Sequence, residues 1–182
     1  MGQHILAIDQ GTTSSRSIIF SPKGSIDAIA QQEFSQKYPK DGWVEHDPQE
    51  IWQASLNCAR RVLGNRSPEG IAAIGITNQR ETSVLWERQS SQCLYNAIVW
   101  QDRRSAAYCE ALAVLHYPAE SESLVSELIK ETTGLIVDPY FSSTKLNGSY
   151  KTTRRGSPFD IRIKFIKKKW GSYTYWITFF NN

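Results

Sequence analysis

The sequence predicts an α/β domain with a mixed β-sheet flanked by helices. Two short apolar segments, residues 5–8 and 17–20, lie on either side of a loop rich in Gly, Thr and Ser, and a third segment follows from Ile26. A helix start at Asp47 comes next, and another apolar segment lies at residues 71–76. The order strand, strand, strand, helix, strand is typical of an α/β domain with a mixed sheet.

The first three strands are predicted to form a meander. Residues 21–24, Ser-Pro-Lys-Gly, have the composition of a tight turn. Ile26, Ala28 and Ala30 then alternate with other residues, which is the pattern of a strand.

The helix after Asp47 has recognisable ends. The Asp47 side chain can accept the unpaired amides of the first turn, Pro48 suits the first helical position, and Glu50 can complete a capping box. Gly64 is a natural terminator, so the helix should run from Pro48 to about Leu63. Its apolar side chains at helical spacing are Trp52, Leu56, Ala59 and Leu63.

The following segments are predicted to alternate strands with helices. We expect a buried strand at residues 71–76 and a short strand at residues 83–86. Two helices are expected at residues 105–115 and 121–132, and the second should end at Gly134.

Composition indicates a globular protein of the cytoplasm. Of the 182 residues, 40% are hydrophobic and 12% aromatic, which excludes a disordered chain. No apolar segment approaches the roughly 20 residues of a membrane helix, and no secretory signal is evident. Cys58, Cys93 and Cys109 are odd in number and lack the spacing of a metal site, so we expect reduced thiols without an assigned function.

Residues 9–16 have the composition of a phosphate-binding loop. Glycine lets the backbone adopt a turn in which successive amides point at one anion, while hydroxyl groups and a cation add further contacts. The side chains concerned are those of Thr12, Thr13, Ser14 and Arg16. Asp9, at the end of the first strand, is placed to hold Mg²⁺ through water. A solvated hairpin loop rich in Thr and Ser is the alternative.

A second polar segment follows the strand at residues 71–76. Adjacent Arg80 and Glu81 offer donors and an acceptor suited to the vicinal hydroxyl groups of a polyol. Trp100, which ends another apolar segment, could place its ring against the C–H side of such a ligand. Taken singly, the Arg-Glu pair is more often a surface ion pair and the Trp more often part of the core.

Five segments together resemble the glycerol kinases of the FGGY family of carbohydrate kinases. They are residues 9–16 (DQGTTSSR), 42–48 (GWVEHDP), 75–82 (GITNQRET), 96–101 (NAIVWQ) and 138–142 (DPYFS). The resemblance extends over about four-fifths of the chain, from Ile5 to Leu146. The Asn-Gln-Arg-Glu-Thr sequence points to glycerol rather than xylulose, gluconate or ribulose.

The resemblance implies a ribonuclease H-like ATPase fold, shared with hexokinase, actin and heat-shock chaperones, here as an incomplete N-terminal domain. It implies a metal ligand, Asp9, and contacts to the ATP phosphates from Thr12, Thr13, Ser14 and Arg16. It implies a glycerol pocket lined by Arg80, Glu81, Trp100 and Tyr140. The expected reaction transfers the ATP γ-phosphoryl group to glycerol and gives sn-glycerol 3-phosphate.

The resemblance ends near Leu146, where the charge also changes. Residues 1–146 contain 13 basic and 17 acidic residues, whereas residues 147–182 contain 8 basic and 1 acidic. We therefore expect a kinase domain at 1–146 and an unrelated, poorly ordered basic tail at 147–182. The family's catalytic carboxylate, which deprotonates glycerol, and its adenine site have no counterpart here, so we expect ATP, ADP, Mg²⁺ and glycerol as ligands without turnover.

Two other functions remain open at the sequence level. The chain could be an inactive remnant of a kinase, and a homo-oligomer is one expectation for the full-length relative. Alternatively, Lys and aromatic residues of the tail could bind nucleic acid, although charge runs are usually solvated surfaces. We expect neither nucleic acid nor a membrane as a partner.

The tail is predicted to arise from a frameshift. Relatives continue after Ser-Thr-Lys and one apolar residue with Lys-Trp-Ile-Leu, whereas this chain has Asn-Gly-Ser-Tyr at residues 147–150. Possible codons for Lys-Trp-Ile-Leu are AAA TGG ATC TTA. When these bases are followed by a pyrimidine (Y) and translated from the second base, they become AAT GGA TCT TAY, which encodes Asn-Gly-Ser-Tyr. Restoring one base near the codon for Asn147 should open a frame that encodes the rest of a kinase, and gene sequencing tests this. Absence of such a frame would disprove the frameshift.

Overall fold

The computed structural model describes residues 3–87, 90–118 and 122–146 and the backbone of 160–166 and 174–180. The chain divides into two compact units that are discontinuous in sequence. The first comprises Met1–Val84 and Asn96–Arg103, and the second Leu85–Tyr95 and Arg104–Asn182.

The first unit is built on a mixed sheet of four strands. They are β1 His4–Gln10, β2 Ser14–Phe20, β3 Ile26–Glu33 and β5 Ile71–Asn78. Their order is β3-β2-β1-β5, with β1 antiparallel to β2 and parallel to β5. The predicted meander and the predicted mixed sheet are therefore confirmed.

Helix α1, Pro48–Leu63, has the predicted bounds. Asp47 Oδ1 accepts the Gln49 N–H at 2.9 Å, and Gly64 ends the helix with a φ of 52°. The predicted capping box is wrong, because the Glu50 carboxylate instead accepts the backbone N–H of Ser35 at 2.9 Å. Glu50 thus ties the segment after β3 to the start of α1.

The buried face of α1 differs from the predicted one. The helix buries Ala54, Ser55, Cys58 and Val62 against β1, β2 and β3, whereas the predicted Trp52 is 56% exposed. Its core partners are Leu6, Ile19 and Ala30. Small side chains let the helix lie close to the sheet, so the pattern of large apolar residues did not mark the contact face.

Strand β5 is formed as predicted but is not buried. Ile74 is 59% and Ile76 is 72% exposed. Both residues pair with residues of β1 that face α1. The helix, however, packs on β1, β2 and β3 and leaves the edge strand β5 uncovered.

Two short strands complete the first unit. β4, Glu45–His46, pairs with β6, Ala97–Ile98, in antiparallel fashion. The strand predicted at residues 83–86 is absent from this described stretch, where Ser83 and Trp86 form only isolated bridges.

The second unit contains α2, Ala106–Ala113, and α3, Val125–Thr133. Gly134 ends α3 at a φ of 74°, as predicted. The backbone of the tail forms an antiparallel pair, β7 Asp160–Ile166 and β8 Thr174–Phe180, while residues 147–159 lie outside the described part. The three cysteines are free thiols. Among the described helices, none is long and apolar enough to span a bilayer.

Because α1 covers only part of the sheet, shortening a buried isoleucine and an exposed isoleucine of the sheet should lower the free energy of unfolding by different amounts. Ile19→Ala should lower the free energy of unfolding by about 2–5 kcal/mol, because Ile19 is fully buried under α1. Ile76→Ala removes the same atoms from a side chain that is 72% exposed, so the change should stay within about 0.5 kcal/mol. Urea unfolding followed by circular dichroism measures both, and equal losses would contradict this packing.

Candidate functional site

The turn between β1 and β2 carries the predicted phosphate-binding residues. It is closed by a hydrogen bond from Gly11 N–H to Ser14 O at 2.9 Å. A Cβ on Gly11 would lie 3.1 Å from that oxygen. Close approach of the two backbone segments therefore explains the glycine here.

Asp9 and Arg16 lie directly opposite each other on β1 and β2, on the sheet face away from α1. The Arg16 guanidinium donates to Gln31 Oε1 from Nε at 3.2 Å and from Nη2 at 2.9 Å. Gln31 in turn donates to Ser14 Oγ at 2.9 Å. Arg16 is thus held along the strand beside the turn, with its charge on the same sheet face as Asp9.

The Asp9 carboxylate makes no hydrogen bond or ion pair with any residue that the structure describes. Within those residues there is also no cluster of three His, Cys, Asp or Glu side chains able to cage a metal. One carboxylate beside the predicted phosphate-binding turn would suit Mg²⁺, which keeps several waters and takes its other ligands from phosphate oxygens. The metal role of Asp9 stays a prediction.

Thr12 is bound from two directions. Its Oγ1 accepts the indole N–H of Trp100 at 3.0 Å, and its carbonyl oxygen accepts from Gln36 Nε2 at 3.0 Å. The neighbouring Thr13 is exposed, and its carbonyl oxygen accepts the Phe34 N–H at 3.2 Å. The turn is thus anchored through the backbone carbonyls of Thr12 and Thr13 and through the Thr12 hydroxyl group, in addition to the Gln31–Ser14 hydrogen bond.

The predicted polyol segment follows β5 in the same unit. Glu81 has a φ of 61°, a left-handed conformation that costs a residue with a Cβ about 1 kcal/mol. Arg80 is exposed, and its guanidinium makes no hydrogen bond or ion pair within the described part of the chain. Strain of this kind concentrates at functional sites, which makes the segment a candidate for ligand binding.

Trp100 joins the two predicted groups. Its backbone N–H donates to Thr82 Oγ1 at 3.3 Å, while its indole reaches Thr12. The structure thus connects the phosphate turn with the Arg80-Glu81 segment inside the first unit.

Tyr140 belongs to the second unit and is held firmly there. Its backbone N–H donates to Asp138 Oδ1 at 2.7 Å, and its ring meets Phe141 edge-on at 5.1 Å. The fully buried Lys145 donates from Nζ to the Tyr140 carbonyl oxygen.

Sequence reasoning missed four polar residues that connect the predicted ones. They form a continuous set of hydrogen bonds with Thr12 and Trp100, and they are Gln36, His46, Gln79 and Thr82. Three of the four belong to the segments that carry the family resemblance. Their polarity beside strand ends was the available signal, but periodicity cannot show which distant polar groups meet.

His46 is the one titratable group of this set. It is fully buried on β4, with the ring of Phe34 edge-on at 5.2 Å. Burial lowers the pKa of His46, and the nearby Glu50 carboxylate opposes this with a smaller effect.

A cleft of about 210 Å³ opens beside these hydrogen bonds. Its walls come from the ends of β1 and β5 and the start of α1, and they are formed by Gln10, Pro48, Ile51, Trp52, Asn78, Gln79, Thr82 and Val84. The nine predicted site residues are not among them. The cleft thus borders the connecting residues rather than the predicted ligand contacts.

The strained backbone at Glu81 gives a test with two variants. Glu81→Gly and Glu81→Ala both remove the carboxylate, but only glycine adopts a positive φ without steric cost. We expect the glycine variant to exceed the alanine variant by about 1 kcal/mol in free energy of unfolding. The same pair at Glu33, at the end of β3 with an ordinary φ, should show the opposite order. If the same variant, glycine or alanine, were the more stable one at both Glu81 and Glu33, the result would contradict backbone strain at Glu81.

The chain is similar to known proteins over about four-fifths of its length. The N-terminal domain of the FGGY family of carbohydrate kinases matches residues 4–149. The glycerol kinase of Alteromonas mediterranea is 65% identical over 148 residues, which cover 80% of this chain and 28% of that protein. The chain therefore spans less than a third of the length of the curated relatives it matches.

Two solved structures show the same fold. The crystal structure of Plasmodium falciparum glycerol kinase with ADP has 31% identity and a TM-score of 0.68, covering 84% of this chain and 29% of that chain. The gluconate kinase of Lactobacillus acidophilus, at 21% identity and a TM-score of 0.71, covers 85% of this chain and 30% of that chain. The predicted sugar-kinase ATPase fold is thereby confirmed. With the match over residues 4–149, the chain belongs to the FGGY family of carbohydrate kinases.

Proposed function

We propose that this chain carries the phosphate-binding and glycerol-binding elements of an ATP-dependent glycerol kinase. In a complete enzyme of this kind, the γ-phosphoryl group of ATP passes to glycerol and sn-glycerol 3-phosphate is formed. The relatives at 65% and 52% identity are both glycerol kinases, and the Plasmodium falciparum structure contains ADP.

The nucleotide side of the proposal rests on the β1–β2 turn. Asp9 would hold Mg²⁺, which neutralises phosphate charge when it is bound, while Thr12, Thr13 and Ser14 would donate to phosphate oxygens. The Oγ1 of Thr12 accepts from Trp100, so its own proton stays available for a ligand. Arg16 would supply positive charge from the same sheet face as Asp9.

The glycerol side rests on Arg80, Glu81 and Trp100 of the first unit. The Arg80 guanidinium has no partner within the described residues, and its several N–H donors suit adjacent hydroxyl oxygens. The Glu81 carboxylate would accept hydroxyl protons, and the Trp100 ring would contact the carbon chain.

One observation carries this proposal above the others, the hydrogen bond from the Trp100 indole to Thr12 at 3.0 Å. A phosphoryl group can pass only between ligands that are held close together and aligned. A direct bond between a phosphate-turn residue and a polyol-pocket residue provides such a link. A solvated hairpin loop and an unrelated surface ion pair, the simpler explanations of these segments, do not require it.

Binding and turnover should separate in this chain. Glycerol should bind saturably in calorimetry, and Arg80→Ala should weaken binding about 10–100-fold, since hydrogen bonds from a charged group are lost.

Mg²⁺-dependent binding of ADP should disappear in Asp9→Asn. A polypeptide of these 182 residues should form no glycerol 3-phosphate from ATP, because it spans only 28% of the length of the Alteromonas mediterranea glycerol kinase and phosphoryl transfer needs both substrates to be held in alignment.

Matched controls make these results specific. Arg60→Ala removes an exposed arginine from α1, and Asp41→Asn removes an exposed carboxylate that lies outside the site. Both should bind like the unaltered chain. Failure of glycerol to bind, or ATP-dependent turnover at ordinary kinase rates, would overturn the corresponding part of the proposal.

A further inference from the structure

Six residues of the first unit form a closed circuit of hydrogen bonds, which includes the backbone N–H of Trp100 and the backbone carbonyl of Thr12. Beginning at Trp100, the circuit passes through Thr82, Gln79, His46 and Gln36 to Thr12 and returns to Trp100. The first five donor–acceptor distances along this path are 3.3, 3.0, 3.4, 2.7 and 3.0 Å, and the indole bond closes it at 3.0 Å. The circuit thus connects the turn after β1, the segment after β3, β4, the segment after β5 and the segment after β6.

The hydrogen bonds of the path run in one direction. The Trp100 backbone N–H donates to the Thr82 hydroxyl, which itself donates to Gln79 Oε1. At the other end the Thr12 carbonyl can only accept, and it accepts a hydrogen bond from Gln36 Nε2. With the Gln79 amide oriented in this way, each residue between the two ends accepts one hydrogen bond and donates the next.

Direction along the path selects one form of the His46 ring. Gln79 presents Nε2, a donor, to His46 Nδ1, so Nδ1 must be unprotonated. His46 Nε2 faces Gln36 Oε1 at 2.7 Å, so Nε2 must carry the proton. A doubly protonated ring would set two donors against each other at Gln79. The lowered pKa of His46 acts in the same direction, because burial disfavours the cation.

The position of His46 is itself fixed by backbone pairing. His46 pairs with Ala97 between β4 and β6, and its neighbour Glu45 exchanges both backbone hydrogen bonds with Lys37 at 2.8 and 2.9 Å. The imidazole is therefore a rigid element between two glutamine side chains. Those glutamines contact Thr12 on one side and the segment after β5 on the other.

We propose that His46 is a positioning residue, which sets Thr12 and Trp100 relative to each other through the amides of Gln36 and Gln79. The assignment rests on the proposed function, since Thr12 and Trp100 are its phosphate-side and glycerol-side residues. His46 has no role as a ligand contact, because it is fully buried. Its effect is to keep the two parts of the site in one geometry.

The first test needs no ligand. In nuclear magnetic resonance of the ¹⁵N-labelled chain at pH 6.5, His46 should show the neutral tautomer with the proton on Nε2, although an ordinary histidine would be about half protonated there. His46→Phe keeps a ring against Phe34 but removes both hydrogen bonds. The Trp100 indole signal, assigned with Trp100→Phe, should then shift, and its hydrogen exchange should quicken about tenfold.

A second variant separates positioning from folding. Gln36→Met, similar in size, breaks the circuit between His46 and Thr12 and should shift the same indole signal. Its effect and that of His46→Phe should not add in the double variant, because both break one circuit. Cys58→Ala destabilises the core beside α1, and His4→Phe removes a partly exposed histidine that pairs with Asp27. Both controls should leave the indole signal in place.

Ligand binding then adds an independent readout. If the unaltered chain binds glycerol, His46→Phe and Gln36→Met should weaken that binding about tenfold, and the two controls should not. If the unaltered chain binds no glycerol, the proposed function fails, and the indole measurements alone decide the positioning role. An indole signal that is unmoved in folded Gln36→Met, or a doubly protonated His46 at pH 6.5, would overturn the proposal even if His46→Phe does not fold.

Discussion

The hydrogen bond from the Trp100 indole to Thr12 is the contact on which the candidate site depends. It joins residues that are 88 positions apart and engages a hydroxyl group of the β1–β2 turn. The sheet brings the ends of β1 and β5 side by side, because these strands are parallel neighbours. Parallel pairing places the segments near each other, and the indole bond sets their separation. Without it, the turn and the polyol segment would be linked only through Gln36, His46 and Gln79 and through the pairing of β1 with β5.

The sequence predicted the fold where local chemistry determines structure. Asp47 and Gly64 mark the ends of α1, because a capping carboxylate and a residue tolerant of positive φ act on adjacent backbone. The prediction failed where the burial of a side chain depends on which other element packs against it. The large apolar Trp52 was expected inside, yet small Ala54 and Cys58 form the contact with the sheet. Ile76 is apolar in a strand and still exposed, because coverage by α1 ends at β1.

The candidate site shows the same limit. Asp9, Thr12, Arg80 and Trp100 could be proposed from short segments, because a metal ligand, a phosphate turn and a polyol pocket each need particular side chains. The circuit through Gln36 and His46 could not, because a glutamine in an irregular segment has no periodic pattern and many possible partners. Hydrogen bonds between residues 10 to 88 positions apart become visible only when the strands are placed. Polar residues that position others are therefore harder to predict than those that bind.

The polar groups of this unit divide into two kinds with different consequences. Within the described residues Asp9 and Arg80 have no partner, so a cation and a polyol would supply contacts that the protein does not make for itself. The connecting residue His46 is the opposite case, since both nitrogens of its buried ring already have partners, and an unsatisfied buried group would cost about 1–3 kcal/mol. A ligand gains nothing by binding to groups that are already paired. His46 can therefore act on a ligand only through geometry, by holding Thr12 and Trp100 in place, whereas Asp9 and Arg80 would act by direct contact.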